Sequence, residues 1–286
     1  MHKNEYKATK KRSHLRIFLG RFFYTLLRYI KWISPGIHYC QPPRKHVVGD
    51  QDFSYNLFSH ETPLFRNLRN DQLWMQQNKI HNLKLAVEKL NGLVLRPGET
   101  FSYWRLIGFP GKLKGYRKGM VLVNGQVRAK RGGGLCQLSN LLYWLTLHTP
   151  LTVSERYRHS FDVFPDSGRT QPFGSGATCV YNYRDLQITN NFIETFLLSL
   201  EVKDRHLVAS WKSQFPLSYT YRVYEKKHWI TQDKGFYIRH NILYRECYLN
   251  NQLFSDEYLT ENHALMMYSP LLQPPQSFSE IQKVDK

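Results

Sequence analysis

The sequence predicts an α+β fold: a mixed or antiparallel sheet in which a glycine-rich loop leads into a cysteine-bearing helix. Three observations carry this. Apolar residues recur at helical spacing in two long stretches, 15–33 and 71–90. Runs rich in Tyr, Phe, Val and Thr follow and read as strands to about residue 249. Gly132-Gly133-Gly134 stands directly before an apolar helix that carries Cys136. An N-terminal amphipathic helix and a small C-terminal β region complete the prediction. The 286 residues suffice for one sizeable core, or one core with a small appendage, and 42% hydrophobic content fits a globular chain.

Four parts are expected along the chain: a basic amphipathic segment over 1–40, a core domain over 41–204, a β-rich extension over 205–268 and a flexible tail over 269–286. In the first part Leu15, Phe18, Phe22, Leu26, Ile30 and Ile33 form an apolar stripe, with Arg21, Thr25, Arg28 and Lys31 towards the other side. Ser34-Pro35-Gly36 ends the helix. Two readings stay open for it: a membrane-surface helix, or a helix with its stripe on the core and its arginines in solvent. Ile17–Leu27 is interrupted by Arg21, so neither a signal peptide nor a membrane span is expected.

Residues 41–70 read as irregular. A helix is expected over 71–90, with Asp71 as its cap, Ile80, Leu83, Val87 and Leu90 as its stripe, and Asn91-Gly92 as its stop. Arg96-Pro97-Gly98-Glu99 reads as a turn and 100–104 as a strand. Met120–Val123 and Gln126–Arg128 form a hairpin around Asn124-Gly125, a type I′ signal. The cysteine helix runs to about Leu147, and Pro150 closes it. Strands are expected at 152–155, 161–164, 178–183, 187–190 and 192–202. Further strands follow at 207–211, 219–224, 237–244 and 245–249.

Lys and Arg number 40 against 22 Asp and Glu, a net charge of +18. That field favours acidic partners, an anionic membrane surface among them. Nucleic acid is not expected, because charge alone supports it and no recognition motif is present. Cys40, Cys136, Cys179 and Cys247 form no C-x-x-C pair, so no zinc site and no cofactor is expected. They read as reduced thiols, which fits a cytoplasmic protein, peripheral at the inner face of the membrane.

The chemistry centres on Cys136. Gly132, Gly133 and Gly134 let backbone N–H groups approach a ligand, and a helix N-terminus adds partial positive charge. Both lower a thiol pKa, and the same N–H groups suit an oxyanion. His159 is the candidate base, with Asp162, Asp166 or Asp185 to orient its ring. A buried, inert cysteine remains the alternative.

The pieces 95–102 (LRPGETFS), 132–139 (GGGLCQLS), 155–160 (ERYRHS) and 181–186 (YNYRDL), in this order and spacing, resemble the VanW family. The resemblance implies a link to the bacterial cell envelope and to glycopeptide resistance. It also implies cysteine-dependent L,D-transpeptidation of peptidoglycan-type peptides, with Cys136 as the acylated nucleophile and His159 as the base; of the possible orienting residues, Asp162 joins them as a catalytic candidate. Gly132, Gly133, Gly134, Gln137, Ser139, Arg156, Ser160 and Asp185 would shape the substrate site. Tyr157 stands where many relatives carry a second His, which leaves a single-base mechanism. The alternative is a non-catalytic membrane-surface module that binds an anionic cell-wall precursor.

Overall fold

The computed structural model describes residues 13–43, 52–65, 73–123, 125–163, 171–233 and 235–270. The expected cap Asp71, the turn residue Asn124, Asp166 and the tail from 271 onward lie outside them.

The core is a four-stranded antiparallel sheet, in the order β1 (Tyr55–Pro63), β10 (His206–Ser213), β9 (Phe196–Lys203), β2 (Leu93–Leu95). Helices α2 (Leu73–Leu90) and α4 (Leu135–Leu147) pack on it and on each other. Leu83, Leu138, Phe196 and Trp211 are fully buried between these layers. Burying each such side chain contributes roughly 1.5–3 kcal/mol. Strand β10 belongs to this sheet, so the core runs past the expected boundary at 204 to residue 213. Strand β1 falls in the stretch read as irregular. It is an edge strand whose exposed positions mix Tyr55 and Pro63 with Asn56, Ser59 and Glu61, so it shows little hydrophobic alternation.

A second sheet joins β3 (Thr100–Ser102), β8 (Gln187–Thr189) and β6 (Thr152–Glu155). Residues 103 and 104, expected to extend β3, open the short helix α3 (Tyr103–Ile107), which Ser102 caps by accepting from Arg105 N–H. Hairpin β4 (Lys118–Val123) and β5 (Gln126–Arg131) leads to α4. The C-terminal sheet is larger than expected: β11 (Tyr219–Asp233), β12 (Phe236–Leu249) and β13 (Gln252–Met266) form long antiparallel ribbons. The short β7 (Phe161–Asp162) adds to β13 in parallel. Residues 178–183, expected as a strand, form a turn closed by Val180 and Arg184.

Helix α1 (His14–Ile33) is tied to this body by one buried arginine. Arg28 pairs with Glu155 on β6, its Nη1 lying 2.8 Å from Oε2, and stands 3.9 Å from Asp185. Asp185 is fully buried. Its carboxylate accepts from Ser102 Oγ at 2.5 Å and from the N–H groups of Trp104 and Leu186 at 3.0 Å each. Burial pushes this carboxyl up to about 6 against the pull of those donors and of Arg28. The folded protein therefore keeps this proton to higher pH than the unfolded chain, whose Asp titrates at about 4. Stability from this group is fullest below about pH 4 and declines as pH rises through about 6.

Two outcomes follow for urea unfolding. Asp185→Ala costs about 3 kcal/mol or more, because Ser102, Trp104 N–H and Arg28 lose a buried acceptor. Asp185→Asn flattens the decline in midpoint between about pH 4 and 6.

Candidate active site

The start of α4 is fixed by backbone packing. A Cβ on Gly133 would stand 2.1 Å from the Gly119 backbone, and one on Gly134 would stand 2.0 Å from the Lys79 side chain. Gly134 also has φ of 96°, where a side chain is strained. From α2, Asn82 donates to Gly133 O at 2.9 Å and to Arg117 O at 3.0 Å, and accepts from Arg117 N–H. The N–H groups of Gly132 and Gly133 bond to Arg117 O and Lys130 O. The glycine run thus lets the hairpin, α2 and α4 approach closely. Two of its donors serve the loop itself and not the anion nest expected from sequence.

All four cysteines are free thiols, and Cys136 is the exposed one. The backbone amides of Cys136 and Cys179 pull the thiol pKa down. Desolvation by the surrounding protein is larger and raises it above the ordinary value. The open side of the residue sets access, and the protein on its other side sets the pKa. The expectation of a lowered pKa is therefore corrected. The amides of Cys136 and Cys179 act on the thiol, but desolvation outweighs them. The Cys179 thiol is buried beside it, raised by burial first and then by Asp185 and Cys136.

His159 comes to the same face of α4. Its Nε2 lies 3.1 Å from Asn140 Oδ1 and its Nδ1 lies 2.7 Å from Thr178 Oγ1. Asn140 is four residues after Cys136, so the two side chains lie one above the other, roughly 5–6 Å apart at Cβ. Asn140 Oδ1 also accepts from Ala177 N–H at 2.9 Å, which marks it as the acceptor and assigns a proton to His159 Nε2. Thr178 N–H bonds to Tyr157 O, and the backbone amide of the next residue, Cys179, lowers the Cys136 thiol pKa. Cysteine, imidazole and amide are thereby gathered on one helical face. Asn140, Thr178 and Cys179 were not singled out from sequence. The i, i+4 spacing of Cys136 and Asn140 was the one signal that pointed to any of them.

The other expected residues have different work. The Asp162 carboxylate accepts from Tyr268 OH at 2.8 Å and from Arg239 at 3.3 Å, within the C-terminal sheet. Among the described residues, Asn140 and Thr178 bond to the His159 ring nitrogens. Asp185 serves the α1 anchor described above. Arg156 donates to Gly174 O, Gly176 O, Thr260 Oγ1 and Asn262 Oδ1 and stacks over Tyr143, so it binds the 174–176 loop to the C-terminal sheet. Gln137 donates to Thr62 Oγ1 and Pro63 O, and buried Ser139 to Ala177 O at 2.8 Å. Ser160 is exposed, and its carbonyl accepts from Leu265 N–H. No group of three or more His, Cys, Asp or Glu side chains suited to a metal occurs among the described residues.

Alkylation of the native protein tests the site. Cys136 is expected to react before the three buried thiols. Its rate should keep climbing with pH beyond the range where an ordinary thiol levels off, because its pKa is raised. A plateau at neutral pH in peptide-mapped rates contradicts the neutral resting thiol.

Residues 78–212 match the family described as "VanW like protein". The chain is 37% identical over 163 residues to the vancomycin B-type resistance protein VanW of Enterococcus faecalis (strain ATCC 700802 / V583), covering 57% of this chain and 59% of that protein. It is 28% identical over 122 residues to the uncharacterized protein YoaR of Bacillus subtilis (strain 168), covering 43% of this chain and 39% of that protein. The chain thus spans about three fifths of the first relative and two fifths of the second. No solved structure matches. The family match takes in α4, His159 and Asp185 and ends one residue short of the end of β10, so the part of the chain that holds the cysteine site is the part similar to VanW-like proteins.

Proposed function

We propose that this VanW-like chain is a cysteine acyltransferase acting on peptidoglycan-type peptides, in the manner of an L,D-transpeptidase. The observation that carries the reading is the exposed Cys136 on one helical face with Asn140, which itself holds His159. The family resemblance supports the substrate class, and the printed name of the Enterococcus relative supports a link to vancomycin resistance.

The raised thiol pKa shapes the mechanism. A preformed thiolate–imidazolium pair needs a low thiol pKa, whereas here the thiol is neutral at rest. Its proton leaves as the sulfur attacks, with His159 as general base. Asn140 fixes the ring through Nε2–H, leaving the Nδ1 lone pair, now against Thr178, to receive the proton. The sulfur–carbonyl bond forms, the peptide C–N bond breaks, and His159 returns the proton to the departing amine. An acceptor amine then attacks the thioester, and the sulfur leaves and regains a proton. Asn140 is a positioning residue in this scheme.

A second reading has its own observation. Both ring nitrogens of His159 are engaged by Asn140 and Thr178, which suits a site that binds an anionic cell-wall precursor without chemistry at the membrane surface.

Intact-mass spectrometry after incubation with a tetrapeptide stem separates the two. Acyl transfer gives an adduct equal to the donor acyl group, released by hydroxylamine and absent in Cys136→Ala. His159→Ala slows its formation about 100-fold or more. Stem-peptide binding that survives in Cys136→Ala, with no adduct in the parent protein, selects the binding module instead.

A further inference from the structure

A surface helix ordinarily turns its apolar stripe to the core and its charges to water. Helix α1 does the reverse. The side facing the protein carries the 7% exposed Arg28, paired with Glu155. Thr25 and Trp32 are half-buried on the same side. Leu15, Phe18, Leu19, Phe22, Leu26 and Ile33 recur at three- and four-residue steps on the opposite side. All six are exposed, Phe22 at 64% and Ile33 at 84%. An apolar face this long has no partner among the described residues, and faces of that kind mark interaction surfaces.

The charge pattern selects the partner. Arg16 and Arg21 are exposed on α1, and Lys31 stands near its end. In sequence, Lys3, Lys7, Lys10, Lys11 and Arg12 precede the helix against one acid, Glu5. Two copies joined through this face would bring like charges together, which opposes self-association. An anionic bilayer meets both features, with acyl chains for the apolar side and phosphate headgroups for the cations. No described helix is long and apolar enough to cross a membrane, so α1 would lie in the plane of the surface.

We infer that α1 is a membrane-docking helix, its Leu15–Ile33 apolar face embedded in an anionic lipid surface and held to the protein by Arg28. The inference is independent of whether Cys136 is catalytic.

Vesicle co-sedimentation of the full chain tests it, using vesicles with 30% phosphatidylglycerol in phosphatidylcholine against pure phosphatidylcholine. The side chains concerned are exposed, so Phe18→Ser/Phe22→Ser/Leu26→Ser is expected to keep the parent's melting temperature. The parent should bind the anionic vesicles at least tenfold more tightly than the neutral ones, weaken with added salt, and lose at least tenfold in the triple variant. Absence of binding, equal binding to neutral vesicles, or an unchanged triple variant overturns the inference. So does a salt-insensitive dimer in sedimentation velocity that the triple variant converts to monomer without vesicle binding, since the face would then belong to a second copy.

Discussion

Asp185 holds a carboxylate where water does not reach, and distant parts of the chain converge with its own neighbour to satisfy it. Ser102 at the cap of α3, the Trp104 and Leu186 amides and, at longer range, Arg28 of α1 all point at its two oxygens. Glu155 of β6 closes the ring by accepting from Arg28 and from the Asp185 N–H. Each of these partners would pay a desolvation penalty if the carboxylate were absent. The network therefore fixes how α1, α3 and β6 meet. It also anchors one end of the 178–185 turn that lies against Cys136.

The cysteine site inherits its geometry from that turn and from the glycine packing. Gly133 against Gly119 sets where α4 begins, and the turn brings Cys179 N–H and Thr178 to the exposed face of the helix. Enclosure by neutral groups leaves the thiol protonated, because donated hydrogen bonds from amides weigh less than lost hydration. Arg156 contributes at a distance, because it ties the loop carrying Gly176 and Ala177 to β13. The C-terminal ribbon is thereby coupled to the segment that faces Asn140 and His159.

Helix α1 shows how one residue can reverse an amphipathic pattern. A buried Arg–Glu pair with further hydrogen bonds is stable only when its geometry is fixed, and once Arg28 is held inward the apolar stripe must face outward. Tyr29 OH against Tyr181 OH at 2.7 Å adds a second fixed point on the same side.

The sequence by itself determined what depends on near neighbours. The periodicity of 73–90, the apolar run after Leu135, the glycines before Cys136 and the hairpin that feeds them are local patterns, and the elements stand where they fall. So does the amphipathic pattern of α1, though not the direction in which it points. Tertiary structure decided what depends on distant ones. Strand β1 shows little hydrophobic alternation and exists because β10 supplies its partner. β13 owes its length to pairing with β12 across a hairpin that its exposed, acidic first half disguises. Residues 178–183 have strand-forming side chains, yet their hydrogen bonds go to a turn and to Tyr157. From sequence, Cys136, His159, Asp162 and Asp185 were all site candidates, and only the fold separated them. Asn140 and Thr178 meet the imidazole, Arg239 and Tyr268 hold Asp162, and Ser102 and Arg28 hold Asp185. Helix and strand periods record backbone geometry over a few residues. The partner of a buried charge or a ring nitrogen is set by which segments pack together, and no local period encodes that.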